Sequence, residues 1–81
     1  MIIHVSLLGK DLLLTPHAFE RMMERGIELK ELVELLESRN CEATIQYNGR
    51  IRITNGEITT ILQLSGSVLY LVTVYKEKTL K

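Results

Sequence analysis

The sequence predicts an α+β fold with an amino-terminal strand or short hairpin, two helices, and a four-stranded antiparallel meander that carries both helices on one face. Two observations support this prediction. Apolar side chains recur at helical spacing through residues 15–38, and three turn sequences divide residues 42–75 into four strands: Asn48-Gly49, Asn55-Gly56 and Ser65-Gly66-Ser67. With 81 residues, the chain (1–81) is expected to form a single domain.

Composition limits the classes of function. A hydrophobic share of 46% is typical of a globular protein, and a formal net charge of zero argues against a general nucleic-acid binder while allowing a local basic patch. Cys41 is the only cysteine and His4 and His17 are the only histidines, so the sequence predicts no disulfide, no metal and no other cofactor.

The amino-terminal residues do not resemble a targeting segment. They lack the basic region and the small-residue cleavage site of a signal peptide. No apolar run approaches the roughly 20 residues that cross a bilayer. We therefore expect a cytoplasmic protein with no membrane contact.

The first 14 residues contain two short apolar runs. Ile2, Val5, Leu7 and Leu8 are strand-like, and Gly9-Lys10-Asp11 is typical of a turn. Leu12–Leu14 then returns as a second short strand, although three leucines suit a helix equally well.

Thr15–Ile27 predicts an amphipathic helix. Thr15 is an N-cap residue, Pro16 suits the first helical position, and Gly26 suits the position after the last turn. The predicted buried arc consists of Ala18, Phe19, Met22, Met23 and Gly26. His17, Arg21 and Arg25 form a column on the opposite side, together with Glu20 and Glu24.

That polar column has two interpretations. It is either an ordinary solvated face, in which Arg21 pairs with Glu24, or a functional surface. The helix dipole favours the second interpretation, because it disfavours a charged imidazole at His17 and leaves a ring able to accept a proton.

A second helix is expected to follow Ile27. Ile27 and Leu32 are placed as a hydrophobic staple, while Glu28 is a poor N-cap. The side of this helix that is predicted to be buried consists of Leu29, Leu32, Val33 and Leu36. The side predicted to face solvent consists of Glu31, Glu34 and Glu37, and the helix is expected to end near residues 38–40.

Two-residue turns predict the register of the meander, with Tyr47 opposite Arg50 and Thr54 opposite Glu57. The face expected beneath the helices then holds Ile51, Ile53, Ile58, Leu62, Leu64, Leu69 and Leu71. The other face holds Ile45, Tyr47, Arg50, Arg52, Thr59, Gln63, Tyr70, Val72 and Val74.

This second face has two expected uses. Arg50 and Arg52 beside Tyr47 and Tyr70 suit the clamping of a phosphate and the stacking of a base, which makes them predicted substrate-binding residues. A wet sheet face also carries such residues without any ligand. Its apolar members, Ile61, Val68, Val72 and Val74, predict a cover: the amino-terminal strand, a partner protein, or a second copy in a homo-oligomer.

The motif His17-x3-Arg21-x3-Arg25-Gly26-Ile27, followed by a helix and a strand meander, resembles the bacterial and archaeal domain-of-unknown-function family 4258. The resemblance extends from about Leu12 to Tyr75. Those domains are similar to the barnase–EndoU–colicin–RelE superfamily of ribonuclease toxins. The resemblance therefore implies a RelE-like fold, RNA as a partner, an antitoxin-like protein as a second partner, and RNA cleavage without a metal.

Site residues follow from the same resemblance. His17 would act as general base or acid, Tyr75 would match a terminal aromatic of the toxins, and four arginines would stabilise the charged phosphorane: Arg21, Arg25, Arg50 and Arg52. The predicted register opposes this grouping, since it separates His17 from Arg50 and Arg52 unless His17, at the start of the helix, lies beside a sheet edge. The alternatives are a non-catalytic module that binds RNA or protein, and a homo-oligomer of undetermined ligand.

Overall fold

The computed structural model describes residues 1–38 and 40–77 and contains six strands and two helices. Their bounds are β1 Ile2–Val5, β2 Lys10–Leu13, α1 Pro16–Glu24, α2 Leu29–Glu37, β3 Glu42–Ile45, β4 Arg50–Thr54, β5 Ile58–Ser65 and β6 Val68–Lys76. All six strands form one sheet in the order β1-β2-β6-β5-β4-β3, and the helices pack on it. The α+β class is confirmed.

The predicted sheet, a four-stranded antiparallel meander, is wrong. The sheet has six strands and is mixed, because the amino-terminal segment forms a β1–β2 hairpin and β2 runs parallel to β6, with Leu12 opposite Leu69. The hairpin forms because alternate residues can all be buried on one side: Ile3, Val5, Leu12 and Leu14. The long segment between β2 and β6 contains both helices, which permits the parallel pairing.

Helix α1 begins and ends where the sequence predicts. The Thr15 hydroxyl accepts a hydrogen bond from the Ala18 N–H at 3.2 Å, and Pro16 is the first helical residue. After the helix, Gly26 has a φ of 73°, and the Ile27 N–H donates to the Met22 carbonyl at 3.1 Å. Met22 is fully buried, whereas Met23, about 100° further round the helix, is half exposed.

Helix α2 starts at a weak cap that its own first turn compensates. The Glu31 carboxylate accepts a hydrogen bond from the Glu28 N–H at 3.1 Å. This bond fixes the backbone at the start of the helix, where the Glu28 side chain makes no capping hydrogen bond. Ile27 and Leu32 are both fully buried, as the staple predicts. The helix also buries Leu35, which the predicted buried side omitted, and ends at Glu37.

The two faces of the sheet are called here the helix face, which contains Ile53 and Leu62, and the open face, which contains Arg50 and Arg52. All seven residues predicted for the helix face are buried or half-buried. A β-bulge in β6 changes the face of later residues: Ile61 is opposite Thr73 and Leu62 is opposite Leu71, which leaves Val72 without an opposite residue.

The prediction that Val74 lies on the open face is therefore wrong. The bulge moves it to the helix face, where only 3% of it is exposed. Thr73 and Tyr75 move to the open face for the same reason.

The turn at Asn48-Gly49 has the predicted backbone but a different register. Asn48 and Gly49 have φ values of 63° and 74°, as a type I′ turn requires. The Gln46 N–H nevertheless donates to the Arg50 carbonyl at 2.7 Å, so the predicted pairing of Tyr47 with Arg50 is wrong. Ile45 consequently lies opposite Ile51, on the helix side and not on the open face.

The turn at Asn55-Gly56 is wider than predicted. Thr54 is opposite Thr59 and not Glu57. The Asn55 side chain causes this, because its Oδ1 accepts hydrogen bonds from the backbone N–H groups of Glu57 and Ile58, both at 2.9 Å. A shift of two residues preserves the faces, which is why the helix face was still predicted correctly.

Neither helix in the described ranges is long and apolar enough to span a membrane.

Substitution of the cap residue tests the local account of α1. Thr15→Ala should lower the free energy of unfolding by about 1 kcal/mol, because the Ala18 N–H loses its acceptor. Thr15→Ser, which keeps the hydroxyl, should remain close to wild type. Urea unfolding followed by circular dichroism measures both, and equal losses in the two variants would contradict the capping role.

Candidate functional site

Helix α1 lies along a part of β6 that has no neighbouring strand on that side among the described residues. β2 pairs only with Val68–Tyr70, whereas β6 continues to Lys76. The remaining edge of β6 packs against α1. The polar column of α1 is exposed, and at about 1.5 Å of rise per residue it extends roughly 12 Å from His17 to Arg25.

Arg25 connects α1 to this edge. Its Nη1 donates to the Thr73 hydroxyl at 2.8 Å and to the Val74 carbonyl at 2.9 Å. The Thr73 side chain lies on the open face, since Thr73 is opposite Ile61 and Ile61 is opposite Arg52. The guanidinium of Arg25 therefore reaches round the edge of the sheet to the open face. The sequence required His17 to lie beside a sheet edge, whereas the residue that the structure brings there is Arg25, at the other end of α1.

The groove between α1 and β6 is narrow. Its cavity volume is about 20 Å³, roughly the space of one water molecule. Arg21 and Arg25 line it together with Ala18, Met22 and residues 71–74, and His17 is not among the lining residues. A groove of this size cannot enclose a nucleotide, so a ligand of the two arginines would lie across the surface.

A polar network occupies the open face beside this groove. The Glu77 carboxylate accepts a hydrogen bond from the Thr59 hydroxyl and pairs with Arg52 Nη2 at 3.2 Å. Thr59 is fully buried, and its hydroxyl also lies 2.9 Å from the Thr54 hydroxyl, so Glu77 and Thr54 together satisfy it. The sequence prediction placed Thr59 on this face without giving it a role, and it omitted Thr73 and Glu77. Only the bulge in β6, which no local pattern reveals, brings Thr73 and Tyr75 to this face.

The other predicted residues lie in three places. Tyr75 is opposite Thr59, on the same end of the open face as Thr73 and Arg52. Arg50 and Tyr70 lie further along this face, on either side of Gln63, and Arg50 Nε donates to the Gln63 side chain at 3.4 Å.

Tyr47 lies apart from both groups. It sits in a 3₁₀ turn at Tyr47–Gly49, 92% exposed, and does not belong to the sheet surface on which it was predicted. A stacking role beside Arg50 is therefore not supported by its position.

The open face also has an apolar side. Ile2, Leu13 and Tyr70 form one row across β1, β2 and β6, and Ile2 is 68% exposed. The amino-terminal hairpin extends the sheet in its own plane, so it does not cover this face as one of the sequence interpretations proposed.

The arrangement suits the binding of an anion at one end of the open face. Arg25 contacts Thr73 at the edge of β6, and Arg52 lies two strands further, about 10 Å from Thr73 by strand spacing, with Tyr75 on the same end of the face. Comparison of the chain with known protein families, with curated proteins and with solved structures found no match.

The two arginines of α1 should differ in their effect on stability. Arg25→Ala should lower the free energy of unfolding by about 1 kcal/mol, because the Thr73 hydroxyl and the Val74 carbonyl lose a charged donor. Arg21→Ala, which removes the same charge one turn earlier, should change it by less than about 0.5 kcal/mol. Urea unfolding measures both, and equal losses would contradict the connecting role of Arg25.

Cys41 offers a test of local burial. Burial raises the pKa of the Cys41 thiol above its ordinary value, and the thiol donates to the Ser38 carbonyl at 3.3 Å. A raised pKa means less thiolate at pH 8. Alkylation should therefore be slower in the folded protein than in urea, and its pH midpoint should be higher. A midpoint at or below that of the unfolded chain would contradict this environment.

Proposed function

We propose that this protein binds RNA across the Arg21–Arg25 column and the adjoining end of the open face. The observation that carries the proposal is the pair of hydrogen bonds from Arg25 to β6, because they place a helix arginine on the sheet surface that holds Arg52 and Tyr75. An exposed cationic surface with an aromatic ring is the composition that binds single-stranded nucleic acid.

The guanidinium of Arg25 retains donors for a phosphate. An arginine has five N–H donors, and both hydrogen bonds to β6 come from Nη1. Nε and Nη2 therefore remain for a phosphate oxygen. Arg21, about 6 Å earlier along the helix axis, supplies a second cation on the same side.

The neutral total charge is compatible with this proposal because a bound phosphate responds mainly to the cations nearest to it. Arg21 and Arg25 line the groove beside β6, although Glu20 and Glu24 are also exposed on α1 and Glu77 pairs with Arg52. Arg21 and the remaining donors of Arg25 are therefore the groups that attract a phosphate backbone at moderate salt.

Salt dependence of binding tests this proposal. Arg21→Ala should weaken binding of a single-stranded oligoribonucleotide severalfold and lower the slope of log K against log salt by about 0.7. Lys30→Ala removes the same charge from an exposed position of α2 and should change neither the affinity nor the slope. Fluorescence anisotropy at four salt concentrations measures both variants. Equal effects of the two variants, or no binding by the wild-type protein, would overturn the proposal.

Metal-independent cleavage is the second candidate function of the same surface. It is supported by the resemblance of the His17, Arg21 and Arg25 motif to the ribonuclease-toxin superfamily, and by the exposure of His17 one turn before Arg21. In such a reaction the ribose 2′-OH loses its proton to a base and attacks the adjacent phosphate. The 5′-oxygen leaves with a proton from an acid, and a 2′,3′-cyclic phosphate remains.

The residues suit separate roles in that reaction. His17 would move the protons, and Arg21, one turn further along α1, would stabilise the negative charge that develops on phosphorus. Arg25 lies roughly 12 Å from His17 along the helix axis and would, with Arg52 and Tyr75, hold an adjoining phosphate and base of the same strand. Glu77 would hold Arg52 in position through their ion pair.

Histidine substitutions distinguish cleavage from binding. In the presence of EDTA, the wild-type protein should produce 2′,3′-cyclic phosphate ends from RNA and none from a 2′-deoxy strand. His17→Ala should reduce the rate at least about 100-fold, whereas His4→Ala, the matched change on β1, should not. Intact RNA with unchanged binding would leave the RNA-binding function and exclude cleavage.

A further inference from the structure

We propose that two copies of this chain pair antiparallel through β3, which joins their sheets into one of twelve strands about a two-fold axis. The proposal concerns an edge of the sheet and is independent of RNA binding. An edge strand carries unpaired backbone N–H and C=O groups, which another extended strand can satisfy.

The two edges of the sheet differ in how they are covered. At β1, Ile3 and Val5 are buried beneath the helices, and the Ser6 N–H after the strand donates to the Leu36 carbonyl at the end of α2. At β3, all four residues are exposed. Within residues 1–38 and 40–77, β3 is therefore the edge that lies more open to solvent.

β3 carries two apolar side chains on the helix face that neither helix covers. Ala43 and Ile45 are opposite Ile53 and Ile51, on the helix face. The two β4 residues are buried, whereas Ile45 is 78% exposed. A second copy would extend the sheet past these side chains and place its own Ala43 and Ile45 beside them.

The hydrogen-bond alternation along β3 specifies the register of such a pair. The Gln46 N–H donates to β4, so in an antiparallel ladder the backbone groups of Thr44 also point to β4 and those of Ala43 and Ile45 point outward. Ala43 of one copy then pairs with Ile45 of the other in both directions. Four hydrogen bonds form, and the two-fold axis passes between the two Thr44 residues.

This register is self-complementary in hydrogen bonding and avoids charge repulsion. It places Glu42 of one copy opposite Gln46 of the other, so that no like charges face each other across the axis. The four apolar side chains, Ala43 and Ile45 from each copy, meet on one side. These features favour a second copy over an unrelated strand as the occupant.

A disulfide trap tests the register. In a Cys41→Ser background, Thr44→Cys places two thiols across a pair whose Cα atoms are about 4.5 Å apart, within the range of a disulfide. Mild oxidation should convert most of this variant into a covalent dimer. Glu42→Cys, on the same face but displaced from the axis, should remain mostly monomeric on a non-reducing gel. Equal cross-linking of the two variants, or none in either, would overturn the register.

The solution mass tests the interface without a new cysteine. Sedimentation equilibrium should show a monomer–dimer equilibrium, and Ile45→Lys should weaken it at least tenfold without affecting the fold, because Ile45 is exposed. Ile2→Lys, on the open face, should leave it unchanged. Weakening by Ile2→Lys alone would assign the interface to the apolar open face and overturn the proposal. A monomer at every concentration, or growth beyond the dimer by pairing of β1 with β3, would overturn it equally.

Discussion

The difference in length between β2 and β6 determines much of the structure. β6 is nine residues long, and its parallel neighbour covers three of them. The remaining backbone groups on that edge need partners, because an unpaired buried carbonyl is costly. Helix α1 packs there, and Arg25 donates to the Val74 carbonyl at the point where a strand would otherwise do so. The arginine column of α1 thus lies where it does because β2 pairs with only part of β6 and leaves the rest of that edge for the helix.

The bulge at Val72 determines which side chains of β6 lie beside the arginine column of α1. Without the bulge, the alternation of β6 would point Val74 toward solvent and Thr73 toward the helices. With it, Val74 is buried and Thr73 accepts from Arg25 on the open face. The same shift places Tyr75 opposite Thr59. One additional residue in one strand therefore buries an apolar side chain and assembles the candidate site.

Features that depend on neighbouring residues were predictable. Thr15 and Gly26 act within one turn of α1, so their local chemistry was sufficient to predict both ends of the helix. The Asn55 loop was predicted as a turn but with the wrong register, because its side chain caps two backbone N–H groups that a two-residue turn would not expose.

Features that depend on distant residues were not predictable. The sequence identified Arg21 and Arg25, but Thr73 lies 48 residues from Arg25 along the chain, and nothing local indicates that they meet. The parallel pairing of β2 with β6 is non-local in the same way. Its formation closes the loop from Leu12 to Leu69, and loop-closure entropy makes such contacts slow to form. During synthesis β2 emerges before β6, so this edge of β2 stays unpaired until all the residues between the two strands have been made.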